Sequence, residues 1–266
     1  MVRIPTNKWI APLALVLFLV VQLTLPARAE EKITLAAAAD LKYALDEVVV
    51  LFIRENPDAR VETVYGSSGK FHAQIRQGAP YDLYFSADIA YPRALVEAGL
   101  AASEVQPYGI GRIVLWGTTR DAAKMTLMTL ADLADPAVAR IAMANPRHAP
   151  YGQRAEEALR SAGIWERVKP RLVFGENVAQ SAQFVQTGNA QFGIIALSLA
   201  LSPELSEHGS YVLIPETLHR PLEQGFIVTR RAAGKPLAQR FARFMKGTDA
   251  RATMTRYGFV LPGEAK

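Results

Sequence analysis

The 266-residue chain contains no cysteine. That excludes a disulfide framework, a thiolate metal site and a cysteine nucleophile. It also excludes a lipid-modified cysteine as a membrane tether. Histidine is scarce: His72, His148, His208 and His219 are the whole set, and no two form a His-x-x-x-His ligand pair. There is no G-x-S-x-G elbow, no Walker loop and no zinc signature. Lysine and arginine form no block, so the electrostatic footprint of a nucleic-acid binder is missing. One enzymatic alternative survives these absences, a hydrolase using Gly66-Ser67-Ser68-Gly69 as a nucleophile turn with His72 as its base. The prevailing expectation is that the chain has no catalytic residue.

The long apolar run lies at the start. Arg3 and Lys8 precede Trp9–Leu25, and Ala27-Arg28-Ala29 follows. A charged start, an apolar middle and small residues at an A-x-A site read as a secretory signal peptide over 1–29. As a membrane span the run is only marginally long. Of the formal charge of +5, Arg3, Lys8 and Arg28 belong to this leader, so the processed chain is close to neutral. It is expected to be free in the periplasm of a double-membraned bacterium.

Beyond the leader, short apolar runs alternate with helical patterns. Ile33–Ala37 reads as a buried strand, and Leu41, Leu45, Val48, Val49 and Phe52 then share a helical face. Asp40 stands where an N-cap belongs, and Asn56-Pro57 stops the helix. Val61–Tyr65 is a strand, a short helix reaches Gln77 with Gly78 as its stop, and Leu83–Phe85 is the next strand. Strands recur at Arg112–Gly117 and near Ile141, Leu172, Phe192–Ala196, Tyr211–Ile214 and Gly225–Val228. Helices recur at Gly152–Ser161, Val178–Gln186 and Pro236–Met245. This order predicts an α/β protein with mainly parallel sheets flanked by helices. Two lobes are expected, lobe I from 30–109 with 225–266 and lobe II from 110–224.

Several helix starts follow directly on strands: Ala38-Ala39-Asp40, Gly66-Ser67-Ser68-Gly69, Ala149-Pro150-Tyr151-Gly152 and Glu176-Asn177-Val178. Helix N-termini carry unpaired amides and positive partial charge, so they bind anions without a lysine or arginine. In α/β sheets ligands collect at the carboxyl ends of the strands. Facing starts from two lobes would make a cage of neutral donors for a small dianion.

An ordered set of segments resembles the molybdate-binding proteins of bacterial ABC importers. It comprises Ala36–Leu41, Tyr65–Gly69, Gln74-Ile75, Gly78-Ala79-Pro80, Asp82–Asp88, Asn145–Gly152, Glu176-Asn177-Val178 and Arg256–Phe259. The resemblance implies a two-lobed, type II periplasmic binding protein fold with its ligand in the cleft. It implies oxyanion contacts from the amides of Ala39 and Asp40, from Ser68 with Ser67 close by, and from the amides of Tyr151 and Val178. The implied ligand is molybdate, and tungstate of nearly equal size. The implied partners are a membrane permease and its ATPase. No cofactor and no protein-coordinated metal are expected, and the chain is expected to be a monomer. Another small oxyanion, sulfate or phosphate, is the alternative ligand.

Two positions depart from the family pattern. Many members carry serine, threonine or asparagine where Asp40 stands, and Asp40 is expected to turn away and cap its own helix. Some members place a tyrosine hydroxyl where Ala196 lies, and the Tyr151 phenol is a candidate replacement. Arg147 and His148 beside the third helix start read as surface loop residues, with steering of an anion or tuning of affinity as their functional reading.

Overall fold

The computed structural model describes residues 31–118, Met125 and 128–263. The leader read over 1–29 lies outside the described residues. Among the described residues no helix is long and apolar enough to cross a membrane.

The chain builds two five-stranded sheets. Strands β1 (Glu31–Ala38), β2 (Ala59–Gly66), β3 (Leu83–Ser86) and β4 (Gln106–Gly111) enter the first, β5 (Ile113–Gly117), β6 (Ile141–Ala144), β7 (Leu172–Gly175), β8 (Phe192–Ala196) and β9 (Ser210–Leu213) form the second, and β10 (Leu222–Val228) returns to the first. The orders are β2-β1-β3-β10-β4 and β7-β6-β8-β5-β9. Each sheet has a parallel three-stranded part, joined by helical crossovers. The other two strands of each sheet pair antiparallel. The sheets are therefore mixed where the repeating pattern predicts mainly parallel ones. The cause is the passage between lobes: β4 and β10 run side by side, and β5 enters the second sheet without a crossover helix. The chain passes between sheets at Arg112 and again between Leu213 and Leu222, a few residues inside the expected boundaries.

Seven helices of two turns or more flank the sheets among the described residues: α1 (Lys42–Glu55), α2 (Ser68–Arg76), α3 (Ala90–Glu97), α4 (Pro150–Ser161), α5 (Val178–Gln186), α6 (Pro236–Phe244) and α7 (Thr248–Arg256). α1 buries Ala44, Leu45, Val48 and Phe52 at the helical spacing, and Phe52 meets Phe241 of α6 edge-on at 5.0 Å. α2 stops where Gly78 takes a φ of +87°, a left-handed conformation that a side chain disfavours. Pro150 occupies the first turn of α4, where its missing N–H removes no helical bond.

Three elements escaped the sequence pattern. β4 carries Pro107, Gly109 and Gly111, a poor strand composition, and is held by pairing with β10. α3 is short and contains Pro92. α7 has few apolar residues, burying Ala250, Thr253 and Met254.

A buried ion pair ties the first lobe together. Asp82 is 2% exposed. Its carboxylate accepts from the Thr34 amide at 2.9 Å on β1 and from Lys235 Nζ at 2.9 Å before α6. Arg231 Nε lies 3.6 Å away.

Candidate functional site

The carboxyl ends of β1 and β2 in one lobe face those of β6 and β7 in the other. A cavity of about 200 Å³, counting the space open to solvent, lies between them. It is lined by Ala38–Asp40, Gly66–Ser68, Ala87, Ala149–Tyr151, Asn177 and Val178. All six residues expected from the sequence, Ala39, Asp40, Ser67, Ser68, Tyr151 and Val178, are on this wall, and among the described residues it holds no lysine or arginine.

The donors come from backbone geometry. Ser67 is the N-cap of α2, Ala149 of α4 and Asn177 of α5. The first-turn amides of each helix have no carbonyl one turn back to bond, and together the three ends place positive partial charge around the cavity. Asn177 Oδ1 accepts from the Gln180 amide at 3.0 Å, which fixes the start of α5. Ser68 is fully buried. Its Oγ accepts from the Ala87 amide at 3.0 Å, and its carbonyl accepts from Tyr84 Oη at 2.8 Å. With its lone pair engaged, the Ser68 hydroxyl still has a proton to donate.

Asp40 does not cap its helix. The N-caps of the 3₁₀ turn Ala39–Leu41 and of α1 are Ala38 and Leu41, and neither is capped by a side chain. Asp40 sits inside the turn, 1% exposed, and reaches across the interface. Tyr151 Oη of α4 donates to Asp40 Oδ2 at 3.0 Å and accepts from Gln224 Nε2 of β10 at 3.1 Å. Tyr108 Oη of β4 lies 2.6 Å from Gln224 Oε1 and 3.1 Å from the Ser86 carbonyl. Ser198 Oγ donates to the Asp40 carbonyl at 2.7 Å. Asp40 Oδ1 is buried without a hydrogen-bond partner. Burial raises the Asp40 carboxyl from the usual range to about 6, against the lowering pull of the Gln224 and Tyr151 side chains. The Tyr151 phenol thus belongs to the crossing strands: a Cβ at Gly111 would lie 2.3 Å from it. Ala196 is fully buried and brings no hydroxyl.

A second set of contacts joins the lobes at the rim. The Gly69 amide donates to the His148 carbonyl at 2.9 Å. Ser67 Oγ and His148 Nδ1 share a hydrogen bond at 2.9 Å. Lys70 pairs with Glu176. Burial, and then Lys70, lower the His148 imidazole below its usual range, while Glu176 pulls it up. His148 is therefore part of the interface between lobes, a role its loop context does not reveal. Arg147 is exposed. His72 packs against the Tyr91 ring at 5.2 Å rather than against either serine. Ser67, His148 and Glu176 outline a serine–histidine–acid order, but His148 Nε2 stands 3.9 Å from Glu176 Oε2, too far for the hydrogen bond that orients a catalytic base.

Two mixed α/β lobes with helix N-termini converging on a cleft define the type II periplasmic binding fold. Residues 33–260 match the family model for bacterial extracellular solute-binding proteins. The chain belongs to that family. It is 34% identical over 248 residues to the molybdate-binding protein ModA of Rhodobacter capsulatus, covering 93% of this chain and 95% of the relative. The solved periplasmic molybdate-binding protein of Azotobacter vinelandii superposes with a TM-score of 0.80 at 30% identity, over 86% of this chain and 99% of that one. The sulfate-binding protein SubI of Mycobacterium tuberculosis shares the fold, with a TM-score of 0.73 at 16% identity over 88% of each chain.

Proposed function

We propose that this protein captures molybdate, and tungstate with it, in the periplasm and delivers it to the permease and ATPase of an ABC importer. The observation that carries the reading is a small cavity ringed by three helix N-termini and the Ala39-Asp40 turn, with no cationic side chain on its described wall. Such a wall offers a compact dianion many neutral hydrogen bonds of fixed direction. The proposed contacts are the amides of Ala39, Asp40, Tyr151 and Val178, the hydroxyl and amide of Ser68, and Ser67, whose hydroxyl is shared with His148. The identity to molybdate-binding relatives supports this ion over sulfate. The physical basis of that choice is size, because a rigid cage leaves its donors unfilled around a smaller ion. The protein acts as a monomer, processed after Ala29, and the lobes move about Arg112 and the 214–221 segment, the permease reading the closed form.

The test is calorimetric titration of the ligand-free protein with molybdate, alone and in excess sulfate or phosphate. One-to-one binding that survives both competitors is expected. Heat with sulfate or phosphate but none with molybdate sinks the assignment. A His72→Ala variant is expected to bind as the parent does, whereas a hydrolase that uses His72 as its base would lose its activity.

A further inference from the structure

A carboxylate on the wall of an anion cage is an electrostatic contradiction. Two like charges at contact distance in a water-poor site cannot both persist. Among the described residues, no cation is paired with Asp40. The groups that face it are the phenols of Tyr151 on α4 and Tyr108 on β4, the neutral amide of Gln224 on β10, Ser198, and the backbone amides of Asp40 and Leu41 in its own turn. The charged side chains on neighbouring elements are engaged elsewhere. Lys42 lies over the Tyr43 ring, Asp46 accepts from Tyr65, and Lys70 pairs with Glu176. Of the two carboxyl oxygens, Oδ2 is held by Tyr151, and Oδ1 is buried and unpartnered. A buried acceptor left without a donor is costly. A protonated Oδ1 beside an oxyanion becomes a donor and removes both the cost and the repulsion.

Resting on the oxyanion reading above, we propose that Asp40 binds the ion as a neutral acid, its Oδ1–H donating to a ligand oxygen, so that capture of the dianion takes up one proton. Tyr151 Oη, itself accepting from Gln224 Nε2, holds Oδ2 and so leaves Oδ1 as the atom that carries the proton. Burial raises the unliganded carboxyl to about 6, so an oxyanion placed beside it has little further to lift it for the proton to be held at physiological pH. The site then senses acidity through its ligand, gripping it more strongly on the acid side.

The test is titration of the wild-type protein with molybdate from pH 6 to pH 9, at each pH in buffers of different ionisation enthalpy. The slope of heat against that enthalpy counts protons. Uptake approaching one proton is expected near pH 8, with Kd weakening by up to tenfold per pH unit above neutrality. Asp40→Asn, whose side-chain amide also donates, is expected to show a Kd independent of pH and no proton uptake. Binding with zero proton uptake and a constant Kd overturns the proposal and leaves the molybdate reading standing. The same uptake in Asp40→Asn as in wild type assigns the proton to another group, His148 being the nearest candidate at the rim, and overturns it as well. No binding of molybdate at any pH overturns both readings.

Discussion

Two aspartates are buried to nearly the same degree, and the molecule treats them in opposite ways. Asp82, 2% exposed, has the Thr34 amide and the Lys235 ammonium within 2.9 Å and Arg231 beyond. Asp40, 1% exposed, has only neutral partners, the Tyr151 phenol on Oδ2 with the Gln224 amide and the amides of its own turn close by, and no hydrogen bond on Oδ1. Burying an ion is tolerable only when it is paired and hydrogen-bonded. Asp82 Oδ1 also lacks a hydrogen bond, but Lys235 Nζ stands 2.8 Å from it and Arg231 Nε 3.6 Å, so its charge is paired, and the residue joins β1, β3 and the start of α6. Asp40 fails that condition, at the place where the ligand is proposed to sit. The aspartate that ties the first lobe together has its charge paired. The aspartate on the cavity wall has only neutral partners.

Substituting each aspartate by asparagine breaks the comparison most directly. The folded-state carboxyl of Asp40 is raised above its unfolded value, so the folded protein holds the proton more tightly. Its contribution to stability is greatest at acid pH and falls as pH rises from about 4 to about 6. Above that window the buried charge costs about 3 kcal/mol, the equivalent of raising the carboxyl from its ordinary value to about 6. Asp40→Asn is therefore expected to stabilise the ligand-free protein by up to about 3 kcal/mol at pH 8 and by little at pH 4. Urea unfolding at both pH values measures this. Asp82→Asn is expected to do the reverse, losing about 2 kcal/mol at pH 8 through broken charge-assisted bonds. If both substitutions shift stability in the same direction at pH 8, the contrast is wrong.

The same contrast marks what could be read from the sequence. The strand–helix alternation and the four helix starts were legible because each is a local signal: an apolar run, then a small residue, then a helical face. All six predicted site residues line one cavity for that reason. Asp40 departs from its expected role for the same reason. Locally it has the form of an N-cap, and its partner Tyr151 is 111 positions away, brought to it only by the meeting of the lobes. His148 reads as a loop residue until Gly69 and Ser67 are placed against it. β4, rich in glycine and proline, is a strand because β10 lies beside it, a fact that no window of sequence contains.

Gly69 sharpens the comparison at the rim, where contacts join the two lobes across the cleft. A Cβ there would stand 2.6 Å from the His148 carbonyl and 3.0 Å from Tyr91 Oη. One of the two is backbone of the opposite lobe and yields only if the lobes part. Gly69→Ala is expected to weaken molybdate binding by at least tenfold, about 1.4 kcal/mol taken from the closed form. Since alanine favours the helix over glycine, the unfolding midpoint of the ligand-free protein should move little. A variant that binds normally would show that the cleft closes without this contact.

The smallest effect belongs to Lys70 and Glu176, which join the same two lobes across the rim but do so in solvent. Their side chains are about half exposed. An exposed pair gains little, because water screens it and two long side chains must be ordered to make it. Lys70→Ala is expected to change stability by less than about 0.5 kcal/mol and molybdate affinity by no more than about twofold, the difference vanishing in high salt. The variant also removes one of the groups that lower His148, so the imidazole should titrate higher, which NMR reads directly. If this exposed pair proves as costly to lose as the buried Asp82 contacts, burial is not what separates the ties that hold the fold from those that close the cleft.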